Sequence, residues 1–178
     1  MRENTSEEGS SSSKQPPVLK MIDSCLRLSV VPLSVATVWL TVTNHQDNPD
    51  YGNLDYTNLF GLKYMAGVSA VCAAYAVVSC ISSWVICFVS RSWLFFLSDQ
   101  VLAYLTVTSM AAASEITYLA YKGDRQVTWS EVCSSYAGFC SKLAVALGLH
   151  AFVVVFFFLL SAISAYRIFK TFEPPHLS

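Results

Sequence analysis

Four long apolar stretches, Asp23–Thr43, Leu62–Phe88, Leu94–Leu119 and Leu143–Phe169, alternate with short polar segments along the chain. Each reaches the ~20 residues that a helix needs to cross a hydrocarbon core about 30 Å thick. The runs are continuously apolar and lack the strict alternation of barrel strands. They predict an all-α membrane protein built as a four-transmembrane-helix bundle. Spans two and three are joined by little more than "SRSW", which makes them antiparallel neighbours. The segment "MRENTSEEGSSSSKQPPVLK" is rich in Ser and Glu, carries a Pro pair, and offers too little apolar surface to offset its ordering entropy. Residues 1–20 are therefore read as a disordered tail, 21–172 as one membrane domain and 173–178 as a second short tail. No small-x-small cleavage site follows the first span, so it is read as a mature span and not a signal peptide.

Composition agrees with a lipid solvent. Only 13% of the 178 residues are charged and 54% are hydrophobic, against about 25% charged in a soluble domain. Mean hydropathy is +0.47. A net charge of −1 gives no argument for nucleic acid. Basic residues set the orientation. With the N-terminus inside, the cytoplasmic face carries Arg2, Lys14, Lys20, Arg91, Arg167 and Lys170, and the outer face carries Lys63, Lys122, Arg125 and Lys142. That bias predicts both termini in the cytoplasm. The outer loops then hold Asp47, Asp50, Asp55, Asp124 and Glu131, and the Asn4 sequon lies on the unglycosylated side. Trp39, Tyr64, Trp84, Trp93, Tyr118 and Tyr166 fall near the interfaces, as an aromatic belt requires.

Charges inside the spans are few. Arg27 lies about four residues into the first span and Asp99 about five into the third, so two co-directional helices bring them to nearly the same depth. A lone charge at mid-membrane costs about 2.5–3.5 kcal/mol on insertion scales. An Arg–carboxylate fork offsets that cost, which predicts an interhelical Arg27–Asp99 ion pair. The competing reading has Arg27 snorkelling to the headgroups and Asp99 bonded to water or Ser98. A transport pathway needs more than one acid and one base at a single level. The next acid, Glu115, is about 24 Å along the helix from Asp99.

The face of the third span that carries Asp99 continues through Ala103, Thr106, Met110, Ala113 and Thr117, small and polar enough for close contact. Ala66, Ala70 and Ala74 in the second span, and Ala144 and Gly148 in the fourth, form small-xxx-small patterns that read as helix-packing positions, for folding or for oligomerisation. "VVVFFFLL" in the fourth span reads as lipid-facing, and Pro32 as a kink in the first.

In "VTWSEVCSSYAGFCSK", Thr128 and Glu131 read as a capping box before a short helix. Cys133 and Cys140 would stand about 10 Å apart on a continuous helix, too far for a disulfide, so a bond between them requires a turn, with Gly138 as its pivot. An oxidising outer side favours the bond; two free thiols are the alternative. Cys72 and Cys80 read as small packing residues, and Cys25 and Cys87 as cysteines near the cytoplasmic face. His45, His150 and His176 are scattered, and His150 reads as a packed or hydrogen-bonded residue. "NHQDNPDYGNLDYTN" reads as a solvated, turn-rich loop, since its acids do not follow a calcium-loop pattern. No phosphate loop, nucleophile elbow or metal spacing is present, so neither a cofactor nor an enzymatic reaction is called for.

Together, "CLRL", "SDQ", "AAASEITYLAYKGD" and "WSEVCSSYAGFC" resemble the plant Casparian strip membrane domain family, and within it the CASP-like branch, from about Met21 to Phe172. The resemblance implies a four-span plasma-membrane protein, distantly similar to MARVEL domains, with both termini cytoplasmic. The family's marker Arg and Asp match Arg27 and Asp99, and its loop cysteines match Cys133 and Cys140. It implies a non-enzymatic scaffold that forms homo-oligomers and hetero-oligomers with related four-span proteins in the bilayer and contacts secreted or wall-associated proteins. The first outer loop lacks the signature of the strip-forming members. A transporter or channel subunit and a tetraspan trafficking protein are the alternative functions.

Overall fold

The structure, a computed structural model, describes residues 17–49, 52–84, 92–123 and 131–171. Asn4, Asp50, Cys87, Arg91, Asp124, Arg125, Thr128, His176, the 173–178 tail and the joint between spans two and three lie outside the described residues. So do the side chains of Lys20, Trp84 and Lys170.

Helix α1 spans Pro17–Val42, strands β1 and β2 span His45–Asn48 and Gly52–Asp55, and a single 3-10 turn covers Tyr56–Asn58. Helices α2 (Phe60–Trp84), α3 (Ser92–Lys122), α4 (Val132–Ser135) and α5 (Ala137–Thr171) follow. Helices α1, α2, α3 and α5 are long and apolar enough to cross a membrane. Helix α1 opens at Pro17, so the last residues of the segment read as disordered are helical. A proline at the first helical position loses nothing, because its missing N–H would have no intrahelical partner there.

The four long helices form a closed square. Helix α1 packs on α2 and α5, and α3 packs on α2 and α5, leaving α1/α3 and α2/α5 as the diagonals. Two apolar clusters fill the interior. One, around Val30, Cys72, Leu102, Val153 and Phe157, lies toward the end where α1 begins and α5 finishes. The other, around Leu62, Met65, Ala113, Phe139 and Leu143, lies under the hairpin.

Several expectations change. Within "NHQDNPDYGNLDYTN", His45–Asn48 and Gly52–Asp55 pair as an antiparallel β-hairpin, with His45 opposite Asp55 and Asn48 opposite Gly52. Gly52 takes φ 89°, a left-handed conformation that suits glycine beside the turn. The "VVVFFFLL" run is not wholly outward, because Val153, Phe157 and Leu160 are among the largest buried side chains. Of the small residues read as packing positions, Ala66 is buried, but Ala70, Ala74, Ala144 and Gly148 all face outward. Spacing by four advances the face about 40° per step on a 3.6-residue helix, so a row that starts inside drifts out.

The close helix approach is at Gly61 instead. A Cβ there would stand 2.5 Å from Ile116 Cδ1 and 3.0 Å from the Ala112 carbonyl oxygen. Glycine at this position lets α2 lie against α3 near the hairpin end.

Candidate functional site

Arg27 on α1 and Asp99 on α3 meet across one diagonal of the square. Arg27 Nη2 donates to Asp99 Oδ2 at 2.8 Å and Nη1 to Oδ1 at 3.2 Å. This is the two-pronged fork in which a guanidinium matches a carboxylate best. Helices α2 and α5 complete it. Tyr75 Oη donates to Asp99 Oδ1 at 2.6 Å, and Ser164 Oγ donates to Oδ2 at 2.7 Å. Each carboxylate oxygen therefore accepts two bonds, and one side chain joins all four long helices. Asp99 is 0% exposed and Arg27 4%.

The guanidinium is held on its other sides too. Its carbon lies 5.6 Å from the Tyr75 ring centre and 5.9 Å from that of Phe95, within cation–π range. Its Nε donates to Asp23 Oδ2 at 3.4 Å, one turn back along α1. Arg167 of α5 reaches the same Asp23 oxygen at 3.3 Å, and its Nη2 donates to the Leu19 carbonyl oxygen at 3.3 Å. Two arginines and two aspartates thus form a charge-balanced cluster. It runs from the bundle centre toward the end where α1 begins and α5 finishes.

A second polar bar crosses the other diagonal. His150 of α5 is fully buried between Ser69 of α2 and Ser109 of α3, with Nδ1–Oγ 3.1 Å and Nε2–Oγ 2.8 Å. Ser109 Oγ also lies 2.9 Å from the Thr106 carbonyl oxygen, so each imidazole nitrogen meets a serine hydroxyl that can serve as donor or acceptor. Between the bars, Ser161 of α5 is hydrogen-bonded to Gln100 of α3.

The β-hairpin and the corner between α4 and α5 form one lid at the far end. Cys133 and Cys140 are joined, with Cα atoms 5.7 Å apart. The turn that this needs is at Tyr136, which ends α4 with φ −127° and ψ 50°. Gly138 is not the pivot; it lies within the first turn of α5. Its missing side chain serves the hairpin, because a Cβ there would stand 3.2 Å from Gln46 Oε1. That oxygen accepts from the Phe139 N–H at 2.8 Å, capping a free donor of the α5 N-terminus from outside the helix. Asn44 Nδ2 donates to the Phe139 carbonyl at 3.0 Å, Asn48 Nδ2 to that of Ser135 at 3.2 Å, and Tyr136 Oη to that of Gly52 at 2.8 Å. Glu131 has an extended backbone, φ −63° and ψ 105°, directly before α4, so it is not the third residue of a helix as the capping box requires; Thr128, the other half of that reading, lies outside the described residues.

Sequence reasoning selected Arg27, Asp99, Cys133 and Cys140, and the structure brings each pair together. It missed Asp23, Tyr75, Ser164 and Arg167 around the first pair, and Ser69 and Ser109 around His150. Tyr75 was legible in principle, as a tyrosine near the middle of an apolar span. The serines carried no signal, because a helical serine can satisfy its own hydroxyl on the preceding turn. Among the described residues, no three of His, Cys, Asp and Glu gather as metal ligands.

The family profile described as the Casparian strip membrane protein domain matches residues 16–157. The chain belongs to that Casparian strip membrane protein domain family. It is 68% identical over 160 residues to CASP-like protein 2D1 of Arabidopsis thaliana, covering 90% of this chain and 82% of that one. Against CASP-like protein 2D1 of Ricinus communis the identity is 60%, over 89% of this chain and 92% of the relative. The protein of the same name in Glycine max is 51% identical over the whole of this chain and 96% of its own length. No solved structure matches. The family match covers Arg27, Tyr75, Asp99, Cys133, Cys140 and His150, and so both polar bars and the lid lie within the family domain apart from Ser161, Ser164 and Arg167.

Proposed function

We propose that this member of the family is a non-enzymatic scaffold of the plasma membrane, with both termini in the cytoplasm. It self-associates, joins related four-span proteins, arranges membrane domains, and recruits secreted or wall-modifying partners through its outer lid. The observation that carries this reading is where the interior polarity goes. The Asp99 carboxylate and the His150 imidazole are fully engaged in bonds between the protein's own helices. Those bonds make the interior a brace, and leave the outward helix faces and the lid as the surfaces through which other molecules are met.

Fluorescence recovery after photobleaching in plant cells tests the reading, together with mild crosslinking in native membranes. A scaffold gives slow recovery at the cell surface and bands above the monomer. Fast recovery with a monomer alone, endosomal residence, or ion conductance in a reconstituted bilayer would each replace it.

A further inference from the structure

The first polar bar joins all four long helices through Asp99. The second joins three of them, His150 of α5 to Ser69 of α2 and Ser109 of α3. Helix α1 is not bonded to it, yet α1 is polar at that level. Arg27, Val30, Ser34, Thr37 and Thr41 follow one another at spacings of three and four residues, which keeps them on one face of the helix, and all are buried. Thr37 and Thr41 settle their hydroxyls on their own helix, donating to the Leu33 and Thr37 carbonyl oxygens at 2.9 and 2.7 Å. Ser34 is different. It is fully buried, and its Oγ has no hydrogen-bond partner among the described residues.

The fork below fixes where Ser34 faces. Arg27 of α1 meets Asp99 of α3, and these two helices run the same way. Seven residues farther along each is a rise of about 10 Å and a return to within about 20° of the starting direction. Those residues are Ser34 and Thr106, so the two face each other along the same diagonal, and Thr106 is fully buried as well. A whole arginine crosses that diagonal at the fork, whereas a serine and a threonine flank it here. Thr106 Oγ1 donates to the Ala103 carbonyl oxygen at 2.9 Å, which leaves its lone pairs as acceptors. Helix α2 runs the other way, and Arg27 reaches its Tyr75. Ser34 is therefore level with about residue 68, beside Ser69.

A buried hydroxyl without a partner carries its full desolvation penalty, and surrounding lipid offers nothing to relieve it. A donor without an acceptor, set among short polar side chains with lone pairs to spare, is the setting in which proteins hold an internal water. We propose that the bundle binds one structural water molecule between Ser34 and Thr106. The water accepts the Ser34 hydroxyl hydrogen and donates its own two hydrogens to Thr106 Oγ1 and Ser69 Oγ. It ties α1 to the second bar, so that this bar, like the first, engages all four long helices. The inference goes beyond the scaffold reading and does not rest on it.

The sign of one substitution tests it. In reversible unfolding of the full-length protein in bicelles, Ser34→Ala should lower the folding equilibrium constant about fivefold, because a hydroxyl that holds a water is missed when it is removed. A hydroxyl with no partner is better absent, so a Ser34→Ala variant as stable as wild type, or more stable, overturns the proposal. Radiolytic labelling in heavy-oxygen water separates a bound water from a loss of packing alone, since a bound water oxidises the side chain beside it. His150, though fully buried, should take up heavy oxygen in wild type and several-fold less in Ser34→Ala. An unlabelled His150 in wild type, or equal labelling of the two proteins, overturns the proposal as well.

Discussion

Removing the Asp99 carboxylate should strand Arg27 and loosen all four helices together. Four donors lose their acceptor in Asp99→Ala: Arg27 Nη1 and Nη2, Tyr75 Oη and Ser164 Oγ. Breaking a buried pair by deleting one partner costs about 3–5 kcal/mol, and single polar contacts in bilayers average about 0.6 kcal/mol. Arg27 keeps its 3.4 Å contact with Asp23 and its stacking on Tyr75 and Phe95, which favours the low end, about 3 kcal/mol. Arg27→Met combined with Asp99→Leu leaves no stranded charge and should fall within about 1 kcal/mol of wild type. Exchanging the two residues recovers little, because a carboxylate at position 27 faces Asp23 one turn away and a guanidinium at position 99 faces the donors Tyr75 and Ser164. The assay is reversible unfolding of the purified protein in bicelles, titrated with dodecyl sulfate and followed by tryptophan fluorescence. An Asp99→Ala variant within about 0.5 kcal/mol of wild type, or a double variant whose loss equals the sum of the single ones, would refute the reasoning.

Two further outcomes follow from the lid and the helix contact. Replacing Cys133 and Cys140 by serine releases a short covalent loop, worth about 2.5 kcal/mol in the chain-entropy model. Hydrogen exchange should speed up at residues 133–140 and in the hairpin bonded to them, while exchange around Asp99 stays slow. Gly61→Ala should lower the unfolding midpoint, with a cost of about 1–3 kcal/mol from forcing a methyl against the α3 backbone. Gly148→Ala, where a Cβ meets open space, should leave the midpoint unchanged or raise it by up to about 1 kcal/mol. Thermal scans of the two variants beside wild type measure both.

What could be read from the chain, and what could not, divides along physical lines. The number of spans and the Arg27–Asp99 pair follow from length and depth, because charge in lipid is costly enough to dictate its partner. Which side of a span faces inward was harder to see. In water a core face announces itself by being apolar, but a membrane helix is apolar on its core side and its lipid side alike. Val153 and Val155 look the same in sequence, yet one is buried and the other exposed. The buried side of α5 carries His150, Ser161 and Ser164, and of these only the histidine stands out in the sequence. The hairpin escaped notice for a related reason. Leu54 is its only apolar residue within the paired strands, so there was no alternating pattern to read. Its register rests on Gln46 and Asn48 bonding to the backbone beyond.

The placement of Asp23 one turn before Arg27 bears on how the protein is made. Asp99 is translated 72 residues after Arg27, an interval of about 4–14 s at ordinary ribosomal speeds of about 5–20 residues per second. Through that delay the nascent first helix must enter lipid carrying a guanidinium whose eventual counter-ion does not yet exist. Asp23 leaves the ribosome ahead of the arginine and belongs to the same turn of helix, so a temporary neutralising companion is at hand as soon as the coil winds. When the third span arrives, Asp99 takes the fork, and Asp23 stays on Nε while the same oxygen also holds Arg167.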